Sequence, residues 1–178
     1  MRNEYKGFSF LALLVGIGAV LHTVVPPILF GMKPDMMLTM MFLAILLFPS
    51  VKNVGLVALT TAAISALTTS FPGGQIANLV DKPITAFVFF ALFMLVKKET
   101  GIKTPVAAAL TAVGTLVSGT VFLSAAALIV GLPGGNSVMA LVTAVVLPAT
   151  VVNTIVMVVI YPIVQSVLKR TNIKAKLS

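Results

Sequence analysis

Apolar residues fall into six long runs: Phe8 to Ile28, Met36 to Phe48, Val54 to Ser70, Ile84 to Val96, Val106 to Val130 and Val138 to Leu168. Each is bounded by Pro, Gly or charge, as helix ends are. A bilayer core about 30 Å thick takes about 20 helical residues, so the second and fourth runs are short. They are expected to borrow flanking residues or to lie where the bilayer is thin. The last run, roughly 46 Å if helical throughout, overshoots one crossing without allowing two. Pro148 is expected to kink or divide it. The pattern predicts an all-α membrane protein, a bundle of about six transmembrane helices forming a single transmembrane domain over 1–178.

Charge gives the bundle a direction, because Lys and Arg are retained on the cytoplasmic side during insertion. Arg2, Lys6, Lys52, Lys97, Lys98, Lys103, Lys169, Arg170, Lys174 and Lys176 lie at one set of ends and connections, and only Lys33 and Lys82 at the other. Both termini are therefore expected in the cytoplasm. An odd number of crossings would put the basic C-terminal tail outside, against the rule.

Composition excludes the other classes. The chain is 59% hydrophobic and 9% charged, and its sixteen charged side chains cannot cover a soluble domain of this size. A net charge of +8 would suggest nucleic acid in a polar protein. Here the basic residues cluster at the ends of apolar runs, so they read as topology signals and no nucleic-acid partner is expected. With no cysteine, disulfides and thiolate metal sites are excluded. The first run, with no small-residue cleavage site, is expected to be a retained helix. There is no phosphate loop, no H-E-x-x-H and only one histidine. ATP hydrolysis and a histidine-rich metal site thus have no carrier, and neither an enzyme activity nor a cofactor is expected.

The outer connections carry the unusual residues: PPILFGMKPD from Pro26 to Asp35, FPGGQIANLVDKP from Phe71 to Pro83, and LPGGNS from Leu132 to Ser137. Pro and paired glycines predict tight turns over Pro72 to Gln75 and Pro133 to Asn136, whose backbone amides suit a carboxylate. Two opposite-charge pairs share this layer, Lys33 with Asp35 and Asp81 with Lys82. Between them they could neutralise both ends of an amino acid; the bland alternative is that the acids cap the second and fourth helices. Gln75, Asn78 and Asn136 are candidate ligand amides, or else satisfy loop backbone. Phe71 is a candidate for the wall of a flat apolar ligand.

Strongly polar residues inside the runs are few, and such groups are functional candidates because they are costly there. His22 lies toward the outer end of the first run, Asn153 at a depth suited to a cavity floor, and Gln165 near the inner interface. The four acids, Glu4, Asp35, Asp81 and Glu99, are expected outside the hydrocarbon core. A proton-driven carrier usually keeps a carboxylate or histidine inside it. A binder without an energy source of its own points to one supplied by other subunits. Small residues four apart, Ala12 and Gly16, lie in the inner half of the first run, where a membrane partner would dock.

The segments GMKPDMMLTMMFLAILLFP (Gly31 to Pro49), TTSFPGGQIANLVDKPITAFVFF (Thr68 to Phe90), VGLPGG (Val130 to Gly135) and LPATVVNTIVMVVIYPIVQ (Leu147 to Gln165) resemble the bacterial tryptophan-uptake family. Proteins of this kind resemble the substrate-binding S components of energy-coupling factor transporters. The resemblance implies a six-helix protein of the bacterial inner membrane that binds its amino acid near the outer surface. It then docks on a shared transmembrane coupling subunit with two cytoplasmic ATPases, and reorients to release the ligand. It gives Ala12 and Gly16 a role similar to the A-x-x-x-A docking motif, with Gly departing from Ala at the second position. It also implies a ligand region carried by Lys33, Asp35, Gln75, Asn78, Asp81, Lys82, Asn136 and Asn153. Two other readings stand beside it: a stand-alone ion-coupled carrier for an aromatic amino acid, and a membrane scaffold without a ligand.

Overall fold

The structure, a computed structural model, describes residues 2–26, 35–97 and 102–171. Six helices form the bundle: α1 (Arg2–Val24), α2 (Met36–Leu47), α3 (Val51–Thr68), α4 (Gly74–Val96), α5 (Thr104–Ile129) and α6 (Val138–Arg170). A 3-10 turn at Pro133–Gly135 leads into α6. No strand occurs among the described residues. All but α2 are long and apolar enough to cross a membrane. Their outward faces carry large apolar side chains such as Leu59, Leu67, Leu95 and Leu128. An apolar surface of that extent calls for lipid as its solvent.

The two short runs resolve differently. In α4 the helix borrows ten residues upstream of Ile84, starting at Gly74 and continuing through Pro83. The segment expected as an outer loop through Pro83 is therefore loop only to Gly73. Pro83 forfeits one helical hydrogen bond but keeps a helical φ, and packing on α3 and α5 holds the element together. By contrast, α2 stays at twelve residues, all of them buried. It touches each of the other five helices, which explains why it is apolar all round.

At its inner end α2 turns tightly into α3, where the Ser50 hydroxyl caps the Asn53 N–H and the Asn53 amide reaches back to the Phe48 carbonyl at 3.3 Å. Helix α2 is six residues shorter than its neighbour α3, a shortfall of roughly 9 Å. This leaves a hollow over the N-terminus of α2. One apolar cluster, around Phe42, Phe89, Phe93 and Tyr161, fills the bundle on the basic side of this level. A second, around Phe71, Phe122, Leu123 and Val146, closes the other end. Polar side chains lie between the two clusters.

The disturbance expected at Pro148 is a π-turn over Val142–Val146, with the Leu147 N–H bonded back to the Val142 carbonyl. Pro148 has no N–H to donate, and the widened turn absorbs the loss without dividing α6. The expected tight turns are present: the Gly74 N–H reaches the Phe71 carbonyl at 2.9 Å and the Asn136 N–H reaches the Pro133 carbonyl at 3.4 Å. Gly73, Gly134 and Gly135 supply the positive φ these turns require.

Candidate functional site

Two polar stripes face each other across the hollow. Asn78, Asp81, Lys82 and Thr85 fall at helical spacing on one face of α4, and Thr111, Thr115 and Ser118 do so on α5; all seven are buried. The Asn78 amide donates to the carbonyls of Gly74 at 2.9 Å and Ser65 at 3.4 Å, fastening α4 to α3.

Asp35 caps α2, accepting the Leu38 N–H on Oδ1 at 2.9 Å. A carboxylate at a helix N-terminus is favoured by the orphan amides and the macrodipole. Its other oxygen, Oδ2, accepts from Lys82 Nζ at 2.5 Å, and His22 Nδ1 lies 3.4 Å from Oδ1. Lys82 also donates to Asp81 Oδ2 at 2.8 Å. Asp81 is fully enclosed: Thr85 donates to its Oδ1 at 2.7 Å and Ser118 to its Oδ2 at 2.8 Å.

The expectation that Asp81 and Lys82 sit at a helix end, outside the apolar core, does not hold. They lie eight and nine residues into the helix-forming segment that starts at Gly74, inside a candidate span. Of the two acids, Asp35 is the one that caps a helix. A buried ion cluster is costly because desolvation opposes the Coulomb gain, and it survives when hydrogen bonds saturate the charged groups. The donors from Thr85 and Ser118 meet that need at Asp81.

The hollow encloses about 660 Å³ of space, open mouth included. Seven of the anticipated residues line it: His22, Asp35, Phe71, Asn78, Asp81, Lys82 and Asn153. Gln75 is exposed on the first turn of α4, away from the lining. The Asn136 amide donates to the Pro133 carbonyl at 2.7 Å and closes its own turn, also away from the cavity. Lys33 lies outside the described residues, as does most of the first outer connection.

Opposite the charges the wall is apolar. Phe71 and Phe122 meet edge to face with centroids 5.2 Å apart, and Val145, Val146 and Ala149 continue the wall from the π-turn of α6. Asn153 stands at the floor, fully buried, its Nδ2 3.4 Å from Thr115 Oγ1. Its Oδ1 is buried without a hydrogen-bond partner. Sequence reasoning passed over Thr115, Ser118 and the π-turn; the recurrence of Thr111, Thr115 and Ser118 at helical spacing in an apolar run was the available signal. On α1, Ala12 and Gly16 are both exposed, and an added Cβ at Gly16 would meet nothing within 4 Å.

Comparison with known proteins agrees over nearly the whole chain. Residues 4–169 match the family model described as "Tryptophan transporter TrpP". A probable tryptophan transport protein of Bacillus subtilis is 59% identical over 167 residues, covering 94% of this chain and 95% of that protein. Similarly named proteins of Clostridium acetobutylicum and Clostridium perfringens are 40% and 36% identical, covering 90% and 97% of this chain and 92% and 98% of theirs. No solved structure matches the chain.

Proposed function

Since this chain belongs to the tryptophan transporter family, we propose that it binds tryptophan in the cavity over α2 and carries it across the bacterial membrane. The observation that supports this most directly is the pairing of a buried Asp35–Lys82–Asp81 cluster with the Phe71–Phe122 wall in one cavity. An amino acid brings one charge of each sign to the first, and an indole ring a flat apolar face to the second. Asn153 Oδ1 offers an acceptor at the floor, suited to an indole N–H. The mouth lies at the end of the bundle poor in Lys and Arg, which the positive-inside rule assigns to the outside.

In the finer reading, the protein is an S component that delivers tryptophan inward with an ATP-driven module of coupling subunit and ATPases. It does no chemistry on its cargo. The exposed Ala12 and Gly16 face of α1 is where the coupling subunit docks. The lack of any nucleotide-binding motif in the chain supports an external energy source. One observation favours a second reading, an ion-coupled carrier acting alone: Asp81 lies within a candidate span, where such carriers hold a titratable group.

The chain contains no Trp and only two Tyr, Tyr5 and Tyr161, so fluorescence excited selectively in indole reports bound ligand alone. Tryptophan added to the detergent-solubilised protein should give a blue-shifted, saturable signal. A linear, unshifted signal would overturn the binding role. Uptake into vesicles holding this protein alone, driven by a sodium or proton gradient, would overturn the ATP-dependent reading in favour of the second.

A further inference from the structure

We infer that Asp35 and Lys82 form a receptor for a zwitterion that works by exchange of partners: the ligand's ammonium takes Asp35 from Lys82, and its carboxylate replaces Asp35 on Lys82. This rests on the cavity being the tryptophan site, and it assigns the two ends of the ligand to named side chains.

The three charged groups are not equivalent. Asp35 keeps 21% of its side-chain surface exposed, whereas Lys82 keeps 3% and Asp81 none. Asp81 already accepts from Lys82, Thr85 and Ser118, so it has neither access nor spare capacity for a ligand. It is a positioning residue that anchors Lys82 to α4 and α5. Of the two acids in the cluster, Asp35 is the one that faces the cavity with an oxygen, Oδ2, committed only to Lys82.

An ammonium has three donors, and Lys82 uses two of them, on Asp35 and Asp81. When an incoming ammonium occupies Asp35, Lys82 loses an acceptor in a buried setting, which a carboxylate on the same ligand restores. A ligand with the amine alone leaves Lys82 short of a partner. One with the carboxylate alone gathers three acids around a single ammonium. Both mismatches are costly where the groups are dehydrated. The exchange therefore selects α-amino acids over indole compounds carrying either charge alone. Because Asp35 caps α2 and Lys82 belongs to α4, the filled site replaces a direct α2–α4 ion pair with one that runs through the ligand.

The test is a titration of the whole protein with tryptophan, tryptamine and indole-3-propionate, each followed by its own indole fluorescence. The wild-type protein should bind the two single-charge compounds at least about tenfold more weakly than tryptophan, the usual cost of losing a charge-assisted contact. Asp35→Asn should weaken tryptophan and tryptamine similarly but tighten indole-3-propionate, because one of the three acids crowded on Lys82 loses its charge. If tryptophan binds but either analogue binds as tightly, or if Asp35→Asn weakens all three alike, the assignment falls and the tryptophan site stands. If the wild-type protein binds none of the three, the site itself falls, and the assignment with it. The wild-type series requires no variant to fold.

Discussion

Phe42 and Phe89 lie face to face, ring centroids 4.0 Å apart and planes within 7° of parallel, joining the central helix α2 to α4. Gly114 of α5 packs against both. A Cβ there would stand 2.6 Å from Phe42 Cζ and 2.8 Å from Phe89 Cδ2. Both rings are fully buried, so neither can swing aside. Gly114→Ala should cost about 1–3 kcal/mol, as overpacking does in a dense core. A lowered thermal unfolding midpoint in detergent checks this, and an unchanged midpoint would show the stack to be loosely held.

Asn153 separates a structural from a binding role. Its Oδ1 is buried and unpartnered, and its one contact, to Thr115, is long at 3.4 Å. Replacing an unsatisfied polar group by an apolar one of similar size is close to neutral or stabilising. Thr115 can turn its hydroxyl to its own helix. Asn153→Leu should therefore leave the ligand-free unfolding midpoint unchanged or raised while weakening tryptophan at least about tenfold. A residue kept only for folding would show the reverse.

The Asp81–Lys82 pair should be strongly non-additive. Asp81→Ala removes the anchor of a buried ammonium and should destabilise by about 3–5 kcal/mol. Asp81→Ala combined with Lys82→Met removes both charges, and its cost should be well below the sum of the two single variants. Unfolding measured over the full double-mutant cycle gives the coupling; additivity would mean that Asp35 and water, not Asp81, compensate Lys82.

Gly16 tests the proposed docking face. Because a Cβ added there meets nothing within 4 Å among the described residues and Gly16 is exposed, Gly16→Leu should leave stability and tryptophan fluorescence titration unchanged. Uptake in cells should be abolished. Equal loss of binding and uptake would remove the docking role proposed for α1.

Much of this was legible in the sequence because lipid permits few solutions. Runs of apolar residues with basic ends had to be helices, and the six appear with their expected turns at Pro72 and Pro133. Seven of the ten anticipated ligand residues line the cavity, since polar groups in an apolar chain have few reasons to be retained. What escaped was depth. Asp81, Lys82 and Pro83 read locally as a helix start, yet the helix begins at Gly74, and Asp81 is enclosed with the help of Ser118 from another helix, a long-range contact. Gln75 and Asn136 shared the loop chemistry of Asn78 but not its orientation, which the register of α4 decides. The role of Ser118 depended on a partner 37 positions away.

The brevity and enclosure of α2 bear on how cargo can leave. A cork gripped from five sides cannot swing like a door, and a molecule resting on its top has the buried length of α2 beneath it. For the proposed tryptophan carrier, such an architecture favours moving the container over opening a gate in its floor, with the same fold expected before and after release.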